Sequence, residues 1–205
     1  MKELAAKRVS EWDSKHAEFR CLDEHERYRS TVFSVHTGRY VSPAGAVFER
    51  DILHHPGAVG VVPLLRLENR KLGVVLLRQY RPATGTWVLE IPAGLRDVSG
   101  EDPARTAARE LEEETGYRAG ALEQLFCAYV SPGISDEEVI VYMATGLERA
   151  SALPQGPEEA YARSCVLALD EAIKSALSNE VVDLKTIAGL FAAREAVNER
   201  EGLEL

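Results

Sequence analysis

The chain has 205 residues and a net charge of −9, with 45% hydrophobic and 28% charged residues. These values predict a folded globular protein rather than a disordered one. They argue against a general binder of nucleic-acid backbones, which needs clustered Lys and Arg. A phosphate-containing substrate remains compatible with the charge, because a divalent cation can reverse the local field of an acidic site.

No apolar run reaches the ~20 residues that a membrane span requires. The charged start of the chain also lacks the apolar segment of a signal peptide. The three cysteines, Cys21, Cys127 and Cys165, lie far apart and form neither a disulfide framework nor a close-spaced zinc pattern. We therefore expect a cytoplasmic protein with reduced thiols that binds neither membranes nor nucleic acid.

The N-terminal half of the chain predicts an extension followed by strands. Residues 1–29 form a polar N-terminal extension, in which we expect residues 1–28 to be helical or loosely attached. One domain is expected over residues 30–205. Residues 30–67 predict strands broken by turns that contain Pro and Gly, and residues 71–81 and 86–94 predict two further strands.

The C-terminal half predicts three helices and three more strands. Asp102 and Pro103 supply an N-cap and a first-turn proline, so a helix should begin there and end at Gly116. Strands at residues 122–130 and 137–147, an exposed loop at 152–162, a strand running into a helix at 164–179, and a last helix near 182–199 follow. Strands flanked by a few helices predict a mixed sheet in a layered arrangement.

The first of these helices carries an unusual acidic cluster in the stretch RTAARELEEETGY, residues 105–117. At ~100° per residue, Glu110, Glu113 and Glu114 share one face, beside small alanines that allow close packing, while Glu112 points away. Like charges at this spacing repel each other. A charge run alone is more often a solvent-exposed face, but clustered carboxylates on a rigid element also suit a hard cation such as Mg²⁺.

The surrounding sequence resembles the signature of the Nudix hydrolases, G-x5-E-x7-R-E-U-x-E-E-x-G-U, in which U is a bulky aliphatic residue. The matching residues are Gly94, Glu101, Arg109, Glu110, Leu111, Glu113, Glu114 and Gly116. The chain departs from the signature in two places, with six residues instead of five between Gly94 and Glu101 and with Tyr117 at the last position. The extra residue lies in the predicted loop before the helix, where an insertion is tolerated.

Two other segments resemble the ADP-ribose pyrophosphatase branch of that family, in its actinobacterial form: QYRPATGTWVLEIPAGL at residues 79–95 and SPGISDEEVIVYMATGL at 131–147. The resemblance implies an α+β Nudix fold, an α/β/α sandwich with a mixed sheet. It also implies a homodimer that uses N-terminal β-strands for dimerisation.

The same resemblance implies roles for individual residues. Glu110 and Glu114, with the backbone carbonyl of Ala93, would bind two or three Mg²⁺ ions, or Mn²⁺, and Glu113 would support that site. Arg109 would orient the carboxylates, and Glu101 would anchor the junction of loop and helix. Arg81 would contact the phosphates or adenine-side groups of the substrate, and Glu90 its ribose or adenine. Glu159 is the favoured general base, with Glu158 as the alternative.

The implied reaction is hydrolysis of ADP-ribose, a small nucleotide, to AMP and ribose 5-phosphate. Two alternatives stay open: a pyrophosphatase acting on another substrate (a nucleotide sugar, NADH, FAD or coenzyme A), and a module that binds ADP-ribose without cleaving it. The adjacent His54 and His55 would point to opposite faces of a strand, so we expect them to be structural or exposed rather than a metal site.

Overall fold

The computed structural model describes residues 18–150, 161–178 and 180–201. The chain divides into two compact units. Among the described residues, the first comprises 18–54 together with 133–135, and the second comprises 55–132, 136–150, 161–178 and 180–201.

The first unit contains an antiparallel sheet of three strands, β1 (Arg20–Arg29), β2 (Ser34–Val41) and β3 (Val47–His54), in that order. The prediction that residues 1–28 are helical or loosely attached is wrong for residues 20–28, which belong to β1. Pairing with β2 satisfies the backbone groups of this polar segment. Nine of its ten residues are exposed and the segment is mostly polar, so it gives no hydrophobic alternation from which the strand could have been predicted.

The second unit is built on a larger sheet. Its strands are β4 (Ala58–Arg66), β5 (Leu72–Arg81), β6 (Thr86–Glu90), β7 (Ala93–Leu95), β9 (Ala121–Tyr129), β10 (Glu138–Thr145) and β12 (Arg163–Ala168). The order is β12-β5-β4-β10-β9, with β6 paired to β5 and β7 to β4. The β4–β10 pair is parallel and the other pairs are antiparallel, which confirms a mixed sheet. Short strands β8 (Tyr117–Arg118) and β11 (Glu148–Arg149) form a separate pair.

Three helices, α1 (Pro103–Thr115), α2 (Leu169–Leu177) and α3 (Leu184–Glu201), cover this sheet. Successive residues of a strand point to opposite faces, and β4 accordingly contributes to two separate cores. Val59 and Val61 pack in a core with Leu111 of α1. Val62 and Leu64 lie in another core with Leu169 of α2 and Leu190 of α3. The predicted α/β/α sandwich is therefore confirmed.

Helix α1 begins and ends where its local sequence predicts. The Asp102 carboxylate accepts a hydrogen bond from the Ala104 N–H at 2.9 Å, and Pro103 follows this cap. At the other end Gly116 adopts a left-handed conformation with φ of 69°, which glycine adopts without steric cost. Together these residues fix the length of the acidic helix.

The predicted strand over residues 86–94 is interrupted in the structure. Strand β6 ends at Glu90 and β7 starts at Ala93. Pro92 has no N–H to donate to a ladder, and the Ile91 N–H donates to Thr186 Oγ of α3 at 2.8 Å. The break turns the chain from its pairing with β5 to its pairing with β4.

Cys21, Cys127 and Cys165 are all free thiols. None of the helices in the described part of the chain is both long and apolar enough to cross a membrane.

Candidate active site

The acidic face of α1 lies directly against β7. The Ala93 N–H donates a hydrogen bond to Glu114 Oε2 at 2.9 Å. A Cβ atom at Gly94 would lie only 2.0 Å from Glu110 Cδ, so any larger residue there would displace Glu110. The structure therefore needs glycine at residue 94 because of a close approach between β7 and an acidic side chain.

Arg109 holds the carboxylates of this face in place. Its Nη1 lies 2.8 Å from Glu110 Oε1 and 2.9 Å from Glu113 Oε2, the latter an i,i+4 pair on the helix. Burial of the guanidinium works against its charge, but the two carboxylates outweigh burial and raise the pKa of Arg109. Glu101 Oε2 accepts a hydrogen bond from Thr106 Oγ at 2.8 Å, which ties the preceding loop to the helix.

Glu112 lies outside this group, as the helical spacing predicts. It forms a two-pronged ion pair with Arg118, at 2.7 and 3.0 Å, in an exposed position. The cluster of four glutamates in the sequence is therefore a group of three with a fourth acid on another face.

A cavity of about 270 Å³ opens over the acidic face. It is lined by Gln79, Arg81, Ala93, Gly94, Leu95, Asp97, Arg109, Glu110, Glu113 and Glu114. Within the described residues, the three glutamates do not bring their oxygens within 4.8 Å of one another as a group. Spread carboxylates suit Mg²⁺, which binds to one or two of them and keeps several waters. The oxygen-only donor set and the room above it fit a hydrated hard cation.

A buried ion-pair network borders the cavity. Arg81 Nε and Nη2 lie 2.6 and 2.8 Å from the two oxygens of Glu90, and Lys185 Nζ lies 2.6 Å from Glu90 Oε2. The Glu90 side chain is only 3% exposed. Burial opposes its ionisation, but the Arg81 hydrogen bond and the Lys185 charge outweigh this effect and lower the pKa of Glu90. Glu90 therefore stays ionised and binds two basic side chains.

Sequence reasoning missed Lys185. Asp183 caps the start of α3 by accepting from the Thr186 N–H at 2.9 Å, and Lys185 Nζ lies 3.0 Å from the same Asp183 oxygen, Oδ2. These contacts place Lys185 beside Glu90, 95 residues away along the chain. No local motif around residue 185 signals this contact, since it depends on how α3 packs.

A second cavity, of about 520 Å³, adjoins the first. The two share Arg81, Ala93, Gly94 and Leu95. The second extends to His55 and Lys185, residues that the sequence motif does not include. Its volume lies in the range of small-molecule sites, so the acidic face and a pocket of ligand size form one continuous region.

The structure brings together all the predicted site residues that it describes. Arg81, Ala93, Arg109, Glu110, Glu113 and Glu114 line the smaller cavity, and Glu90 binds Arg81 behind it. The two candidates for the general base, Glu158 and Glu159, lie outside the described residues.

Comparison with known proteins identifies the class of this fold and site. The model of the NUDIX domain matches residues 54–188, which is more than half of the chain and includes the whole acidic motif. The chain belongs to the Nudix family. It is thus a hydrolase of pyrophosphate bonds, and enzymes of this family generally need a divalent metal.

Two similar proteins match this chain over most of its length. The ADP-ribose pyrophosphatase of Mycobacterium tuberculosis (strain ATCC 25618 / H37Rv) is 34% identical over 175 residues, which are 85% of this chain and 83% of that protein. The ADP-ribose pyrophosphatase of Bacillus subtilis (strain 168) is 33% identical over 172 residues, 84% of this chain and 90% of that protein.

A solved structure described as an ADP compounds hydrolase has the same fold. It superposes with a TM-score of 0.77 at 22% sequence identity, and the match covers 91% of this chain and 97% of that one. At this identity the likeness supports the architecture alone.

Proposed function

We propose that this protein hydrolyses ADP-ribose to AMP and ribose 5-phosphate. The observation that carries the proposal is the acidic face of α1, held against β7 by the Ala93–Glu114 hydrogen bond and open to the smaller cavity, which adjoins the larger one. Two relatives that share a third of their residues with this chain over most of their length are ADP-ribose pyrophosphatases, which favours ADP-ribose over other nucleoside diphosphate derivatives.

The proposed cation site consists of Glu110, Glu114 and the carbonyl of Ala93, with Glu113 in support. Mg²⁺ is the expected ion, with Mn²⁺ as a substitute and two or three ions per site. When bound there, such ions neutralise the charge of the pyrophosphate and lower the pKa of water for attack on phosphorus. Arg109 keeps Glu110 and Glu113 in position through its ion pairs.

Other side chains in this scheme bind the substrate or take the proton of the attacking water. Arg81 lines both cavities, so we place its guanidinium against the phosphates, with Glu90 fixing its orientation. The prediction that Glu90 contacts ribose or adenine stays open. Both of its oxygens already bind basic side chains, however, and we favour a positioning role. Glu159, or Glu158, takes the proton from the attacking water in this scheme.

The test of the substrate is direct. Purified protein with ADP-ribose and Mg²⁺ should release equal amounts of AMP and ribose 5-phosphate, measured by chromatography. A parallel panel of a nucleotide sugar, NADH, FAD and coenzyme A should give much lower kcat/KM values. If a panel member were the best substrate, the family assignment would stand and the ADP-ribose proposal would be wrong. Tight binding of ADP-ribose without AMP release would favour the non-catalytic module.

We also propose a homodimer built through the N-terminal strands. The first unit exposes large apolar side chains, among them Phe19 at 65%, Tyr28 at 57% and Val47 at 59%, and a second copy of the chain would remove such side chains from water. Light scattering on the pure protein should give twice the mass of one chain. A single-chain mass at micromolar concentration would contradict this proposal.

A further inference from the structure

A second group of side chains that could bind a metal lies in the first unit, far in sequence from the acidic helix. It contains two histidines and one glutamate rather than carboxylates alone. His36 Nδ1 lies 3.0 Å, and His54 Nε2 2.7 Å, from the same oxygen of Glu24, Oε1. The two imidazole rings are nearly perpendicular, with centroids 4.7 Å apart. Among the described residues, this is the only group of three or more His, Cys, Asp or Glu side chains whose ligand atoms all lie within 4.8 Å of one another.

The strand register explains why these side chains meet. Glu26 of β1 pairs with His36 of β2, and Ser34 of β2 pairs with His54 of β3. Directly paired residues share a face of a sheet, and so do residues two apart on one strand. Glu24, His36 and His54 therefore project from the same face, one from each strand.

The donor set favours a transition ion rather than Mg²⁺. Imidazole nitrogen with one carboxylate is a common ligand set for Zn²⁺, whose ligand bonds of ~2.0–2.2 Å place tetrahedral ligands about 3.3 Å apart. The observed separations of 2.7 and 3.0 Å from Glu24 Oε1 are only a few tenths of an ångström shorter. A small outward movement of the side chains would admit the ion.

A second layer of contacts fixes the ring of His36. Its Nε2 lies 3.0 Å from Ser34 Oγ and 3.7 Å from Glu26 Oε2. In the tautomer in which Nε2 carries the ring proton, Nε2 donates to these oxygens and the lone pair of Nδ1 is left for a metal. Nδ1, which faces Glu24, is therefore the nitrogen available as a ligand.

We propose that Glu24, His36 and His54 bind one Zn²⁺ ion, which links the three strands of the first unit. Three protein ligands leave the fourth tetrahedral position to water. The side chains of Glu24, His36 and His54 are 29%, 19% and 34% exposed, so an ion can enter from solvent. This site is independent of the proposed hydrolysis and revises the structural role expected for His54.

The test is a count of zinc ions in the full-length, tag-free protein. The chain is stripped with a chelator, reloaded with Zn²⁺ in excess Mg²⁺ to occupy the hard-oxygen site, and analysed by mass spectrometry of the metal. Wild type should hold one more zinc per chain than His54→Gln or Glu24→Gln. Equal zinc in wild type and His54→Gln would overturn the proposal and leave a hydrogen-bonded cluster only.

Matched variants separate this site from other zinc ligands. His25→Gln changes a neighbouring histidine of β1 that is 66% exposed and lies near Asp23, and it should keep the extra ion. Cys21→Ser and Glu114→Gln should also keep it, since they remove a thiol and an acid of the catalytic face. Loss of the ion in any of these three would place the zinc elsewhere.

Two further readouts complement the zinc count, and the first of them uses wild type alone. Co²⁺ bound to wild type should show the intense visible absorption of tetrahedral coordination, and Zn²⁺ should displace it. Saturating Zn²⁺ should raise the Tm of wild type by about 5 °C and leave the Tm of His54→Gln unchanged. Only weak octahedral cobalt bands in wild type, with no tetrahedral absorption, or equal Tm shifts in both proteins, would contradict the site.

Discussion

Gly94 is required by an acidic side chain rather than by its own backbone angles. A Cβ atom there would lie 2.0 Å from Glu110 Cδ, so the absence of a side chain at residue 94 leaves the space that Glu110 occupies. The spacing of Gly94 and Glu110 could be read from the sequence by family resemblance. The contact itself could not, because it depends on β7 packing against α1.

Gly94→Ala should lower kcat/KM at least about a hundredfold, because it displaces Glu110 by roughly 1 Å or more. The measurement is the rate of AMP release from ADP-ribose. The double variant Gly94→Ala/Glu110→Ala should be no slower than Glu110→Ala alone, since the clash has then lost its partner. Additive losses would show that Gly94 acts through something other than Glu110.

Glu90 has a different residue-scale role, as a buried acid that holds Arg81 and Lys185. Its carboxylate could be singled out in the sequence, but Lys185 could not, because the two residues meet only through tertiary packing. The lowered pKa of Glu90 means that its ionised form stabilises the folded state at neutral pH.

Glu90→Gln should reduce the free energy of unfolding at pH 7 by about 2–3 kcal/mol, a figure below that for fully buried pairs because Arg81 is half-exposed. A group with a depressed folded pKa contributes stability above its unfolded pKa, and the contribution is lost as pH falls through the folded value. The difference in free energy of unfolding between wild type and variant should therefore be constant above pH 5. It should shrink as the pH falls below 4.5, the ordinary pKa of a glutamate side chain. Urea unfolding at several pH values measures this gap, and a constant gap down to pH 3 would contradict the assignment.

At the scale of elements, local signals decided what the sequence could predict. Helix α1 was predictable from end to end because Asp102, Pro103 and Gly116 mark its boundaries by local chemistry. The sequence did not predict the break after Glu90, because it depends on a hydrogen bond from Ile91 to α3. It did not predict strand β1 either, because β1 depends on pairing with β2. Tyr117, an aromatic residue in the last position of the motif, is buried in the core beside α1, so the position keeps its packing role.

Asp102→Ala should lower the free energy of unfolding by about 1 kcal/mol, since it removes the cap bond to the Ala104 N–H. Asp102→Asn is the matched control, because its side-chain oxygen can still accept this bond, and it should change stability by only a few tenths of a kcal/mol. Thermal or urea unfolding provides the comparison. Equal losses in both variants would mean that the charge of Asp102, rather than the cap, stabilises α1.

At the scale of the molecule, the candidate site draws on elements far apart in the sequence. Strands β5 and β7 supply Arg81 and Ala93, α1 supplies the acids, and α3 supplies Lys185. The acidic motif and the layered fold were predictable because the motif is local and the core strands are apolar runs bounded by turn residues. The second cavity and the Glu24–His36–His54 cluster were not, because each depends on which strands pair and in what register.

The central claim is that the cation-binding acids of α1 drive hydrolysis. Glu114→Gln keeps an oxygen that can accept from the Ala93 N–H but loses the charge that a divalent ion needs. Its matched control is Glu112→Gln, on the same helix but paired with Arg118 on another face. The decisive measurement is the rate of AMP release from ADP-ribose with Mg²⁺ for wild type and both variants, with circular dichroism to verify folding. We predict a loss of about 10³-fold or more for Glu114→Gln and less than about twofold for Glu112→Gln; near-normal activity of folded Glu114→Gln would contradict the account.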